Sequence, residues 1–427
     1  MYDFRTTACG TAAGEVRSRS TYLPGEARTI DAATTVARAR KLFSPLGITR
    51  VGNVTGLDCI GIPVVMVCRP NARSLAVSQG KGVDLDAARA SGVMESIELY
   101  HAERILRPLQ LASWNELRFT HPLAHVERLP RLSFSSFGPD VPLLWIEGVD
   151  LFSSRPAWLP YELVHQNYTL PLPQGSGCFV LSSNGLASGN LPSEAALHGL
   201  CEVIERDAKA LWRLGSLEQQ EGTRVDLGTI ADPVCVKLLE LYAAAGVAVG
   251  VWDMTSDIGV AAFTCVIVDQ RADPFRAIGP AEGMGCHPVR EVALRRALTE
   301  AAQARLTLIA GSRDDNGRLR YKDAREAQLS EQTRERLGRR GQRYFEETPN
   351  LAPSAERCGP EDDVRALLAA LARAGLEQAL CVDLTKPEIG IPVCRIVVPG
   401  LEPYHHVPGY QPGARAERVL RERAQRS

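Results

Sequence analysis

Three stretches of the sequence carry carboxylates or amides at helical spacing, each inside a longer apolar run. They are Glu95 and Glu98 in DLDAARASGVMESIELYHAERI, Glu202 and Glu205 in SEAALHGLCEVIERDAKALW, and Glu300 and Gln303 in HPVREVALRRALTEAAQARLTLI. A helix turns about 100° per residue, so positions three or four apart share a face. Ser91, Glu95 and Glu98 share one face. Glu194, His198, Glu202 and Glu205 share another, opposite Leu197, Leu200, Val203, Ile204 and Leu211, and Arg296, Glu300 and Gln303 share a third. Taken singly, such pairs are most simply a solvated helix face. The second helix departs from that reading, because its few acids gather on one stripe and no lysine follows until Lys209. Unpaired carboxylates on a mostly buried helix are costly unless they serve an ion, a proton or a substrate. Acids converging from three helices would call for a divalent metal holding a polyphosphate. Mg2+ takes a few carboxylates and completes its shell with phosphate oxygens and water.

The segment SSNGLASGNLPSEAALHGLCEVIERDA adds a loop to that picture. Asn184, Asn190 and the glycines between them offer amides and backbone for close approach to a ligand, just ahead of the second acidic helix. Ser193, after Pro192, is the expected N-cap, with Glu194 one turn in and Arg206 further along. Lys81 lies in SQGKG, read as a glycine-flanked loop, where its ammonium could reach a phosphate oxygen as a point charge or simply be an exposed turn lysine. For Arg206 the plain alternative is a salt bridge along its own helix, and His198 reads as a satisfied, partly buried histidine. The common nucleotide devices are absent: SQGKG lacks the spacing of a P-loop, and no G-x-G-x-x-G follows a strand.

Positioning these residues requires a sizeable core. The chain has 427 residues, 45% apolar and 23% charged, which suits a large globular enzyme domain. Lys and Arg number 49 against 50 Asp and Glu, so no basic excess points to nucleic acid. No signal peptide and no run of about 18 apolar residues is seen, so no membrane association and a cytoplasmic location are expected. The 11 cysteines are scattered without a C-x-x-C pair; they read as isolated core residues, lacking a paired resolving thiol.

Residues 1 to about 30 read as irregular, followed by a helix AATTVARARKLFSPL and two strands, TRVGNVT and IPVVMVCR. Asp84 is the expected N-cap of the first acidic helix. A β-rich insertion is expected between 107 and 180. Beyond the second acidic helix the pattern gives a helix PVCVKLLELYAAAGV, strands VAVGVWDMT and VAAFTCVIVD, and the third acidic helix opened by Pro288. Residues 311 to 362 read as a charged, solvated excursion. A last helix, DDVRALLAALARAGLEQ, precedes strands ALCVDLT and PVCRIVVPG. The expected fold class is α+β: a single large domain with mixed sheets and three acidic helices converging on one site.

These motifs resemble the YcaO family, ATP-dependent enzymes that phosphorylate a peptide amide oxygen. Ser91, Glu95 and Glu98 are similar to its first motif, Asn190, Glu194, Glu202, Glu205 and Arg206 to its second, and Glu300 with Gln303 to the third helix; the likeness runs over roughly residues 45 to 400. Leu99 stands where the first motif commonly has arginine. The resemblance implies ATP and Mg2+ as cofactors. It makes Glu95, Glu98, Glu202, Glu205 and Glu300 the metal ligands, and Lys81, Ser91, Asn184, Asn190, Glu194, Arg206 and Gln303 the nucleotide-binding set. Arg206 and Lys81 become the catalytic cations. The implied domains are an N-terminal extension at 1–45, a catalytic domain at 46–401 and a charged tail at 402–427.

Within the family, the stretch from Thr49 to Gly82 is similar to members associated with TfuA proteins, which are implicated in backbone thioamide formation. The azoline-forming members often end in a proline-rich tail, whereas this chain ends VPGYQPGARAERVLRERAQRS. Thioamidation of a peptide is therefore the leading expectation. A TfuA-like protein would deliver sulfur, since no fused partner domain is read ahead of residue 45. A homodimer is among the expected partners, with the oligomeric state left open. The competing expectations are an azoline-forming cyclodehydratase acting on Cys, Ser or Thr, and a non-catalytic scaffold that binds nucleotide and peptide.

Overall fold

Apolar strands separated by turn residues alternate with long helices. The computed structural model describes residues 22, 28–272, 278–313, 327–351, 359–403 and 409–426. The strands are β1 (Arg50–Asn53), β2 (Val64–Cys68), β3 (Val77–Lys81), β4 (Leu109–Ala112), β5 (Arg131–Leu132), β6 (Leu143–Asp150), β7 (Arg155–Pro160), β8 (Leu186–Ser188), β9 (Val247–Asp253), β10 (Ala262–Asp269), β11 (Ala281–Cys286), β12 (Leu380–Asp383), β13 (Val393–Val397) and β14 (Tyr410–Gln411). The helices are α1 (Ala32–Arg40), α2 (Phe43–Leu46), α3 (Leu85–Glu103), α4 (Trp114–Leu117), α5 (Pro192–Leu214), α6 (Leu217–Gly222), α7 (Pro233–Ala244), α8 (Arg290–Ala310), α9 (Ala327–Leu337), α10 (Pro360–Arg373) and α11 (Ala414–Arg426). The α+β class is as expected. The ladders between these strands are all antiparallel, where mixed sheets were expected.

Contacts divide the chain into two interleaved units. One comprises Asp31–Ser96 and Ser216–Leu351. It holds two three-stranded sheets, β1-β2-β3 and β11-β10-β9. Its core joins Val251, Phe263, Cys265 and Ile267 of the second sheet to Leu238 and Tyr242 of α7 and Leu294, Ala297, Leu298 and Ala301 of α8. Helix α8 lies on β11 so closely that a Cβ at Gly283 would fall 2.2 Å from the Ala301 nitrogen, and one at Gly285 2.0 Å from the Ala293 oxygen. Only glycine permits this approach.

The other unit comprises residues up to Ile30, Ile97–Gly215 and Ala352 onward. Its six-stranded sheet runs β4-β6-β12-β13-β8, with β7 also pairing β6. This sheet contains the expected β-rich insertion. Helix α5 packs on β13 and β8. Asp207, buried on α5, accepts from both Nε and Nη2 of Arg415 on α11 at 2.9 and 2.8 Å and from the Glu402 N–H at 3.0 Å. Among the described residues no helix is long and apolar enough to cross a membrane.

Several local expectations are corrected. The helix expected at 32–46 is split into α1 and α2. Lys81 is not in a loop: it ends strand β3 and pairs with Val64. The Asn184–Asn190 loop contains strand β8. Ser193 does not cap α5; Leu191 occupies that position, Pro192 opens the helix, and the Ser193 hydroxyl donates to Glu361 at 3.1 Å. Pro288 lies before α8, which starts at Arg290. Asp84 does cap α3, accepting from the Ala87 N–H at 2.8 Å. The supposed solvated excursion contains α9, whose Leu337 is buried and whose Arg336 donates to Glu221 at 2.5 Å and stacks over Trp252. Within that excursion residues 314–326 and 352–358, like most of the irregular N-terminus, lie outside the described residues.

Candidate functional site

The chemistry-bearing residues are best followed within each unit. In the unit built on the six-stranded sheet, Glu98 is 8% exposed. Its Oε1 accepts from the Ser188 N–H at 2.8 Å and the Ser188 hydroxyl at 2.6 Å, which ties α3 to the end of β8. From there the chain turns through Gly189 and Asn190 into α5. Glu194, in the first turn, fixes that entry: its Oε1 accepts from the N–H and hydroxyl of Thr29, and its Oε2 from the Asn190 N–H, all at 2.8 Å. Further along α5, Glu202 lies 3.8 Å from Arg206, one turn on, and both side chains remain partly exposed. Glu205 is buried at 4% exposure, and His198 is half-buried, in accord with its reading as an embedded histidine. Asn184 donates its N–H to the Ser182 hydroxyl at 3.4 Å, and its Oδ1 is buried without a partner.

In the unit built on the two three-stranded sheets, Lys81 donates to Glu300 Oε2 at 2.5 Å, and Glu300 Oε1 accepts from the Met284 N–H at 3.2 Å. Gln303 donates from Nε2 to the Gln79 carbonyl at 3.0 Å, and the hydroxyl of Thr307 donates to the Gln79 side-chain oxygen. Strand β3 is thereby fastened along α8, and Gly80 brings it onto α3: a Cβ there would lie 2.0 Å from the Ala88 oxygen. Ser91 and Glu95 are half-buried on α3.

The structure therefore brings together Lys81 with Glu300, Gln303 with Gln79, Glu202 with Arg206, and Glu194 with Asn190. Among the described residues no three His, Cys, Asp or Glu side chains already form a metal-binding group. The donor set still fits Mg2+. Carboxylate oxygens are its hard ligands, and it is commonly held by one or two of them plus substrate phosphates instead of a dedicated protein cage.

Sequence reasoning passed over Arg395, a guanidinium buried in β13, and His165, whose Nε2 is buried without a partner. The cysteines are also not all isolated. Across β12 and β13 Cys381 neighbours Cys394, and this neighbour together with burial pushes the Cys394 thiol well above the ordinary value. A thiol so held is a poor sulfur nucleophile at neutral pH.

Comparisons with known proteins show the family. The family model described as YcaO cyclodehydratase, ATP- and Mg2+-binding, matches residues 79–402. An uncharacterized protein in the tfuA 3' region of Rhizobium leguminosarum bv. trifolii is 36% identical over 381 residues, covering 88% of each chain. An uncharacterized protein of Methanothermobacter thermautotrophicus is 37% identical over 380 residues, covering 84% of this chain and 91% of its own. The structure of YcaO from Methanopyrus kandleri bound with AMPPCP and Mg2+ shares the fold, with a TM-score of 0.68 at 21% identity over 90% of this chain and 97% of that one. A heterocyclase in complex with substrate and cofactor gives 0.67 at 24% identity, over 91% of this chain and 54% of that one. Because the family model spans most of the chain, from β3 beyond β13, and the relatives align along nearly their whole length, the chain belongs to the YcaO family of ATP- and Mg2+-binding enzymes that modify peptide backbones.

Proposed function

We propose that this enzyme uses ATP to activate a peptide backbone amide for replacement of its oxygen by sulfur. The observation that carries the choice of thioamide is the relative encoded beside tfuA, which aligns over 88% of this chain. The Cys381 and Cys394 thiols are buried, so neither is an accessible sulfur carrier, and in this reading sulfur comes from outside, through a TfuA-like partner.

In this reading residues 46–401 form the catalytic region, flanked by the extension and the charged tail. The helices carrying Glu95 and Glu98, Glu202 and Glu205, and Glu300 converge on one ATP site. When bound, Mg2+ offsets phosphate charge and aligns the triphosphate. Ser91, Asn184, Asn190 and Gln303 bind the nucleotide, and Glu194 acts by fixing the Asn190 turn. Lys81, beside Glu300, and Arg206, beside Glu202, meet the charge that shifts as the phosphoryl group moves. The amide oxygen attacks the γ-phosphorus, ADP leaves, hydrosulfide adds to the activated carbon, and phosphate departs with the former amide oxygen. No side-chain nucleophile is required.

Reconstitution with the peptide, ATP, Mg2+ and either sulfide or the partner tests this by mass spectrometry. Thioamidation adds about 16 Da per site, whereas azoline formation removes about 18 Da and a scaffold changes nothing. A loss of water, or full thioamide yield with enzyme, peptide and ATP alone, contradicts the proposal.

A further inference from the structure

The strand PVCRIVVPG is apolar core except at its fourth residue. Arg395 is 2% exposed, in register with Leu186 of β8 on one side and Val382 of β12 on the other. Its Nη2 donates to the Ser182 carbonyl at 2.5 Å, while Nε and Nη1 are buried without a partner. A guanidinium presents five N–H donors, so the three on Nε and Nη1 are unmet. No ion pair joins Arg395 to a carboxylate among the described residues. Burial pushes its pKa down to about 10, which leaves it a cation at neutral pH. A buried cation with unmet donors is costly to keep, and an anion is what completes it.

Strand alternation decides where this cation faces. Arg395 and Val393 share the face of their partners Leu186 and Ser188. Ile396, one residue on, faces the other way, where a Cβ at Gly199 of α5 would touch its side chain at 2.6 Å. Arg395 is therefore about 7 Å along the ladder from the pair whose Ser188 donates twice to Glu98. Its charge is also felt by Glu202 and Tyr168, and it helps hold His165 neutral. The His165 Nδ1 accepts from the Asn167 N–H at 3.2 Å, so the ring proton sits on Nε2. The Gln166 side chain shares the Ser182 carbonyl with Arg395.

We infer that Arg395 binds the phosphoryl oxygens that pass from ATP to the peptide amide, as a catalytic cation outside the three acidic motifs. This rests on the reading that Glu98 and Glu202 hold the Mg2+ of ATP: Glu98 is tied to Ser188 on the face of Arg395, and the Glu202 carboxylate is close enough to act on the Arg395 charge. As the bond from amide oxygen to γ-phosphorus forms, the bond from γ-phosphorus to the bridging oxygen breaks and its electron pair leaves with ADP. Charge spreads over the three non-bridging oxygens, and a planar guanidinium matches two of them at once. The source of those oxygens is either bound ATP or the phosphorylated amide.

The test uses full-length Arg395→Ala and Arg395→Lys proteins, with folding followed by melting. Single-turnover phosphate formation with peptide should fall at least ~100-fold in Arg395→Ala and recover ~10-fold on adding free guanidinium ion, with Arg395→Lys between. Unchanged Mg·ATP affinity without peptide assigns the contact to the transferring group; a weakening of ~10-fold or more assigns it to the bound nucleotide, and both sustain the inference. Turnover within ~3-fold of wild type, a loss that guanidinium does not relieve, or misfolding of both variants overturns it and leaves Arg395 a structural cation. Glu202→Gln is the separate control. If that protein keeps its Mg2+-dependent ATP affinity, the metal reading fails whatever Arg395 does.

Discussion

His101 and His165 are wholly buried, and burial is the main reason that each imidazole is lowered from 6.5 to about 4. Both are neutral in the fold: His101 donates from Nδ1 to the Ile97 carbonyl at 2.7 Å, and His165 accepts at Nδ1 from Asn167. In the unfolded chain they protonate near the ordinary value, so as pH falls the unfolded state binds protons first. Stability is therefore full above 6.5 and is lost as pH drops through 6.5 towards 4. The cost is about 2 kcal/mol for each histidine between about pH 7 and pH 5. Urea midpoints measured across that range should fall on acidification, and His165→Gln should flatten the slope; a wild-type midpoint independent of pH would contradict it. Residue placement was the most legible level in the sequence, because helical spacing alone puts Glu98, Glu202 and Glu300 on helices, where α3, α5 and α8 carry them. What each does was less legible. Glu194 spends its oxygens on Thr29 and Asn190, and Arg395 was one charge in an apolar run, its unmet donors visible only once its neighbours are known.

Elements with strong apolar periodicity, α5, α7, α10, β10 and β13, were readable because their own residues decide them. Strands β3 and β8 were not. VSQGK and LAS have little strand propensity of their own and are strands because β2 and β13 pair with them. The same dependence on partners explains the misplaced caps at Ser193 and Pro288, where a residue suited to a helix start met a chain path that started the helix elsewhere. At this level the contact of β11 with α8 is decisive, since it seats the helix that bears Glu300 and Gln303. Gly283→Ala should destabilise the fold by about 3 kcal/mol, because its methyl would meet backbone that cannot move aside. Thermal melting checks this. A variant melting with wild type would mean that α8 is not held against the sheet as described.

Across the whole molecule the chain passes between its two units four times, at residues 30, 96, 215 and 351. No periodicity in the sequence reports such crossings, because they follow from which distant segments pack together; the single α+β domain was legible, its division into two compact units was not. Helix α3 contributes Glu95 to one unit and Glu98 to the other, Lys81 and Glu300 belong with the first, and Glu202 with the second. The proposed chemistry needs all of them for one nucleotide. Its central claim is that ATP is spent on the amide oxygen itself. A peptide carrying heavy oxygen at the modified amide, incubated with the enzyme, ATP, Mg2+ and sulfur source, should yield phosphate bearing that label, one atom per modified site, and none when EDTA replaces Mg2+. Modified peptide accompanied by phosphate that has taken its oxygen from water alone would contradict the account.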